Sequence, residues 1–291
     1  MKTKIKIAIA SGKGGTGKTF ISTNLFRVLQ KQSIDVTLVD CDAEEPNDLQ
    51  FISGSSVEAF SVTQKVPVID KTKCTYCGKC FEYCNYNAIF YLQERTYIEV
   101  LEDQCHGCGA CSVACNFAAI TEKENELGTV ETFRVSENAE LIEARMKIGV
   151  HSPVSTIKAA IKSAKNSVVL FDSPPGTSCP FIQTVSFADY VVLVTEPTPF
   201  GLSDLKQSVE TLKSMNKCCG VIVNRSTLGT NEVYEYLNQE KIPLLMSVPF
   251  DKNIALHYSK GNVLAEKDIE WSIKFNQLYN TILERYGDSC N

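Results

Sequence analysis

Apolar residues in this chain fall into short runs, each stopped by a polar or glycine-rich knot. Residues 4–10 alternate Lys and Ile and then become wholly apolar, and Ser11-Gly12 ends the run. A segment apolar on both faces predicts a strand of a parallel sheet that helices cover on each side. Residues 20–30 carry Ile21, Leu25, Val28 and Leu29 at helical spacing, and residues 36–39 form a second apolar run ending in Asp40-Cys41-Asp42. The order is strand, glycine loop, helix, strand.

That pattern lapses between residues 62 and 124, where Cys, Gly and aromatic residues dominate and only 88–91 and 97–100 read as short hairpin strands. Residues 125–150 form a bridge with no clear period. Strands then resume at 167–171, 190–195, 220–223 and 244–248, with a helix over 202–215 between the second and third. Alternating strands and helices of this length predict an α/β fold built on a doubly wound, mostly parallel sheet. The expected division is an α/β domain in two parts, 1–61 and 126–291, interrupted by a small α+β insertion at 62–125.

At 291 residues the chain can bury one substantial core and a smaller one. A formal charge of −5 and the lack of a Lys/Arg-rich stripe argue against a nucleic-acid partner. No apolar run approaches the roughly 18 residues of a membrane span, and the first run is too short for a signal-peptide core. The expected setting is cytoplasmic. There, thirteen cysteines point to metal or redox chemistry rather than to disulfides.

The loop after the first strand reads Gly12-Lys13-Gly14-Gly15-Thr16-Gly17-Lys18-Thr19. Glycines let the backbone wrap closely around phosphate, and the N–H groups opening the next helix face the anion. Lys18 is expected on the β- and γ-phosphates and Thr19 on Mg²⁺, so ATP or ADP with Mg²⁺ is the predicted ligand. Lys13 is additional to that loop. The string from Lys13 to Thr19 resembles the deviant Walker A motif of the MinD/ParA/ArsA ATPases, a group that includes the nitrogenase iron protein. The resemblance covers residues 1–60 and 150–260, and it implies a nucleotide-sandwich homodimer in which Lys13 acts on the facing subunit's nucleotide. It also implies that Asp42 positions the attacking water, beside a second acid at Asp40. Asp172, in Asp172-Ser173-Pro174-Pro175-Gly176, would hold the Mg²⁺ shell. Asn224-Arg225 and Pro249-Phe250-Asp251 would contact the adenine base.

The cysteines add a second chemistry. Cys74, Cys77, Cys80 and Cys84 form a C-x2-C-x2-C-x3-C run, repeated 31 residues on as Cys105, Cys108, Cys111 and Cys115. Zinc sites instead take two C-x2-C pairs. The duplicated run resembles the bacterial two-cluster ferredoxins, in which the fourth cysteine of each run ligates the other cluster. It implies one [4Fe–4S] cluster on Cys74, Cys77, Cys80 and Cys115, and a second on Cys105, Cys108, Cys111 and Cys84. Asn85 and Asn116 replace the proline that follows the fourth cysteine in that pattern, a change expected to touch potential rather than ligation.

Three functions follow as expectations. An ATPase that gates electron transfer to a redox partner leads, because the cysteine region interrupts the ATPase between Asp42 and Asp172. A carrier that loads an iron–sulfur or other metal cofactor onto a metalloprotein client resembles the Mrp-type proteins. Those proteins use a C-x-x-C that this chain replaces with adjacent Cys218-Cys219. A positioning ATPase on membrane or DNA would use an amphipathic helix at residues 269–286. There Trp271, Phe275, Leu278, Ile282 and Tyr286 form a stripe, but no basic face accompanies it.

Overall fold

The computed structural model describes residues 4–289. In chain order, β1 (Ile5–Ala10) leads through the glycine loop into α1 (Lys18–Lys31), β2 (Val36–Asp40) and a long β3 (Ser55–Ile69). Next come α2 (Lys79–Glu82), β4 (Ile89–Leu92), β5 (Tyr97–Val100), α3 (Ala110–Ala114), β6 (Ile120–Ser136) and β7 (Ala139–Met146). The chain continues with α4 (Val154–Ser163), β8 (Val168–Asp172), α5 (Cys179–Ser186), β9 (Tyr190–Thr195), α6 (Pro199–Ser214) and β10 (Cys219–Asn224). It closes with α7 (Glu232–Gln239), β11 (Leu244–Val248), α8 (Lys252–Ser259), α9 (Leu264–Lys267) and α10 (Ile269–Ser289).

Two compact units result. One takes the chain up to Phe60, Val130–Arg145 and everything from Val154 on; the other takes Ser61–Thr129 and Met146–Pro153. The strand order is β11-β10-β9-β1-β8-β2-β7-β6-β3. The neighbours from β11 to β7 all pair in parallel. β2, β8 and β9 are buried at every residue, as strands covered on both faces must be. From β1 the chain winds one way to β2 and the other way to β9, β10 and β11, so the order reverses at β1. Ligands of such sheets bind beyond the carboxyl ends of the strands at that reversal.

The bridge at 125–150 is structured, which sequence pattern alone did not show. β6 and β7 lie there, joined by Glu137 and Asn138 alone, and β7 joins β2 in the sheet with Val36 beside Ala139. β3 is also a strand that the sequence pattern did not reveal. Its exposed residues run from Ser55 through Ser61 with little apolar alternation, so period-2 burial leaves no trace in the sequence there.

The stripe on α10 packs inward. Trp271, Phe275, Leu278 and Ile282 are buried in the main core, and Phe20 of α1 meets Trp271 and Phe275 edge-on at centroid distances of 6.3 and 5.9 Å. Its apolar face is thus consumed by the fold, and the membrane or DNA reading loses its motif. Among the described residues, no helix is long and apolar enough to cross a membrane.

The second unit repeats itself in its backbone. Tyr76 and Gly107, Gly78 and Gly109, and Asn87 and Ala118 each stand 31 residues apart, and all six have positive φ between 49° and 76°. Left-handed turns at Tyr76, Asn87 and Ala118 cost roughly 1–2 kcal/mol each. Such turns persist where the surrounding structure requires them. A small core of Cys80, Ile89, Ile98 and Cys111 sits between the β4–β5 hairpin and the two short helices.

Candidate nucleotide cleft and cysteine centres

The cleft of about 550 Å³ at the carboxyl ends of the parallel strands is large enough for a nucleotide. One end of it is the glycine loop. Gly17 precedes α1 with φ 100°, and a side chain there would meet the Asn224 amide nitrogen at 2.4 Å. Asn224 Nδ2 instead donates to the Thr16 carbonyl over 2.7 Å, tying β10 to the loop.

Gly14, Gly15, Gly17, Lys18, Thr19, Asp42, Asp172, Asn224, Arg225, Pro249 and Asp251 all line this cleft. Gly12, Lys13 and Thr16 do not. They lie on the loop's other side against β9 and α6, where a side chain at Gly12 would strike the Asp204 backbone at 2.5 Å. Packing against α6 therefore requires glycine at this position. Asp251 caps α8, accepting from the Asn253 N–H at 2.7 Å.

The floor of the cleft is acidic. Asp172 ends β8 directly beside Asp40 at the end of β2, and Asp40 pairs in register with Glu143 of β7. Thr19 donates its hydroxyl to Asp172 Oδ2 over 2.7 Å, while Asp172 Oδ1 meets no hydrogen-bond partner among the described residues. A hydroxyl beside a carboxylate with an open oxygen is a hard oxygen donor set of the kind Mg²⁺ prefers. The residues fit that ion.

Burial shifts these groups. It pushes the Asp172 carboxyl up, against the opposing charge of Lys18 and the Thr19 hydrogen bond. Asp42 rises to about 6 through burial, partly offset by Lys18. Burial lowers the Lys18 ammonium, against the attraction of Asp172 and Asp42. Asp40 rises to about 8, chiefly by burial and then by the neighbouring Asp172 charge. It accepts from the N–H groups of Asp42, Asn47 and Asp48 at 3.1, 2.8 and 3.0 Å, so it shapes the segment after β2.

Three residues escaped the sequence reading. Asp48 is wholly buried beside Asp172, and burial followed by the Asp40 and Asp172 charges holds it well above the carboxylate range. Tyr258 packs against Phe51 with ring centroids 4.7 Å apart and planes tilted by 32°, and it lines the cleft. Glu196, just past β9, pairs with Lys13 at 3.3 Å and with Arg225 at 2.5 Å. A lone polar residue after a strand carries no sequence signal; only its partners, far off in the chain, reveal it.

The cysteines of the second unit line two cavities. Cys74, Cys77, Cys80 and Cys115 line one, together with Ile69, Ile98 and Ile120. Cys84, Cys105, Cys108 and Cys111 line the other. Each set takes three thiols from one run and one from the other. Backbone N–H groups of Tyr76, Gly107 and Ala88 donate to the sulfurs of Cys74, Cys105 and Cys84 at 3.4, 3.4 and 3.3 Å. Four thiols around an apolar pocket, with N–H groups aimed at sulfur, fit the donor chemistry of an iron–sulfur cluster. Among the described residues no group of three or more His, Cys, Asp or Glu closes around a point as a single metal ion requires. His106 stacks on Tyr86 with centroids 3.9 Å apart, beside the second cavity.

Comparison with known proteins agrees with this architecture. A MinD protein of Pyrococcus horikoshii, solved with Mg-ADP, superposes with a TM-score of 0.59 at 20% identity, covering 96% of this chain and 95% of that one. An uncharacterized protein of Methanocaldococcus jannaschii is 30% identical over 98% of this chain and 97% of its own length. An iron–sulfur cluster carrier protein of Methanococcus maripaludis is 21% identical over 98% of this chain and 86% of its own. Residues 7–264 match the profile of the CobQ/CobB/MinD/ParA nucleotide-binding domain. The chain is built on a mostly parallel α/β sheet, and it belongs to the CobQ/CobB/MinD/ParA nucleotide-binding family.

Proposed function

We propose that this protein uses ATP binding and hydrolysis, in a homodimer with nucleotide between the subunits, to gate electron transfer from two [4Fe–4S] clusters to a partner protein. The observation that carries the reading is the pair of cysteine-lined cavities, each drawing three thiols from one run and one from the other. The clusters would supply one-electron chemistry, with residues 62–125 as the inserted ferredoxin-like domain. Lys18 and the loop N–H groups hold the phosphates, Thr19 and Asp172 hold Mg²⁺, and Asp42 orients water. Its carboxyl, raised to about 6, is mostly ionised at neutral pH and able to accept a hydrogen bond from that water. Lys13 would offset charge developing on the facing subunit's nucleotide.

The test is anaerobic EPR with potentiometry on reconstituted protein, with and without MgATP or MgADP. A nucleotide-dependent spectrum or potential supports gated transfer, and clusters indifferent to nucleotide would sink it. Transfer of a cluster to an added apo-protein would favour the carrier reading, which the iron–sulfur carrier relative supports. Against that reading, Cys218 packs on the main core and Cys219 begins β10, where burial raises its thiol to about 11. Neither position suits a ligand that must be handed over.

A further inference from the structure

We propose that Glu196 is a positioning residue for Lys13, holding the ammonium within its own subunit until dimerisation draws it across to the facing nucleotide. This rests on the homodimer reading above. Glu196 is anchored firmly. Its carbonyl accepts from the Thr198 N–H at 2.8 Å, and Gly201 packs so close that a side chain there would meet that carbonyl at 2.3 Å. The carboxylate is only 10% exposed, and it divides its two oxygens. Oε2 takes Lys13 Nζ at 3.3 Å, and Oε1 takes Arg225 Nη1 at 2.5 Å.

That division lets Lys13 leave. A buried carboxylate stripped of its partner is costly. Here Arg225 still pairs with Glu196 after Lys13 departs. The Lys13 side chain is 32% exposed and its contact is long, so the pair that breaks is the weaker one. A multiply charged phosphate on the facing subunit then attracts the ammonium more strongly than a single shared carboxylate does. Arg225 carries a second message. It sits at φ 53° in the turn after Asn224, with its N–H bonded to Asn224 Oδ1 at 2.9 Å. Asn224 in turn bonds the phosphate loop. One carboxylate thus joins the lysine to the turn proposed to read the base.

The experiment is sedimentation of the full chain with a non-hydrolysable ATP analogue, comparing wild type, Glu196→Gln, Lys13→Ala and the double variant. Each dimer releases two Lys13–Glu196 pairs. Glu196→Gln should therefore tighten the nucleotide-dependent dimer by roughly two- to thirtyfold. The same change in the Lys13→Ala background should do nothing. A Glu196→Gln dimer no tighter than wild type, or tightening that persists without Lys13, overturns the proposal. If Glu196→Gln lacks a folding transition, Glu196→Asp keeps the charge but withdraws it and should tighten the dimer by a smaller factor; a wild-type constant there overturns the proposal equally. Wild type that forms no nucleotide-dependent dimer would instead remove the underlying homodimer reading. Wild type that dimerises with Glu196→Gln alongside it removes only the role of Glu196.

Discussion

Replacing Gly17 by alanine tests whether the phosphate loop is built as described. Gly17 lies at φ 100°, beyond the left-handed well that other residues visit, and its missing side chain leaves room for Asn224 Nδ2 at 2.4 Å. A left-handed conformation costs an L-residue about 1–2 kcal/mol. Displacing Asn224 also breaks its bond to the Thr16 carbonyl, worth about 1 kcal/mol. The total of about 2–3 kcal/mol should lower the thermal midpoint by roughly 4–6 °C in a chain of this size. Since Asn224 is the proposed base reader, affinity for a fluorescent ADP should fall about tenfold. Gly14→Ala is the control for stability, because a side chain there has only the Pro175 Cβ within 4.0 Å and no positive φ to relieve. Its midpoint should move by the equivalent of no more than about 0.5 kcal/mol. Calorimetry and fluorescence titration read both. A Gly17→Ala chain that melts and binds like wild type would refute the packing argument at the loop.

Two further outcomes follow from other parts of the molecule. Asp40 rises to about 8 in the folded chain from an ordinary value of 3.8, so the folded state binds more protons than the unfolded one between those limits. The stability this contributes is complete below about pH 4 and is lost as pH rises through about 8. Urea unfolding without nucleotide or Mg²⁺ should show falling stability across that window, and Asp40→Asn should flatten the profile; an equally steep profile in Asp40→Asn would contradict the assignment. The crossed cysteine sets predict a different pairing experiment. Cys84→Ser combined with Cys105→Ser should cost one cluster, about four iron atoms per chain, whereas Cys84→Ser combined with Cys74→Ser should cost both; equal losses from the two pairs would contradict the crossed arrangement.

Much of this molecule was legible in one dimension because its chemistry is local. The glycine loop is a run of consecutive residues, so Gly14, Gly15, Gly17, Lys18 and Thr19, which line one cleft, stand out by spacing alone. Parallel strands buried on both faces are apolar throughout, and β1, β2, β8 and β9 stand out for that reason. The 31-residue cysteine repeat is likewise a local geometry written twice. What stayed hidden depends on long-range partners. β6 and β7 fill a stretch with no visible period, because β7 is placed by its pairing with β2 rather than by alternation. Gly12 reads as a ligand contact, and only the fold shows that Asp204 of α6 also packs against it. The stripe on α10 suits a membrane or a core equally well, and only Phe20 beneath it decides for the core. Glu196 has no signature at all. Its meaning comes from Lys13 and Arg225, which lie 183 residues before it and 29 after it, and only folding brings their charges to one carboxylate.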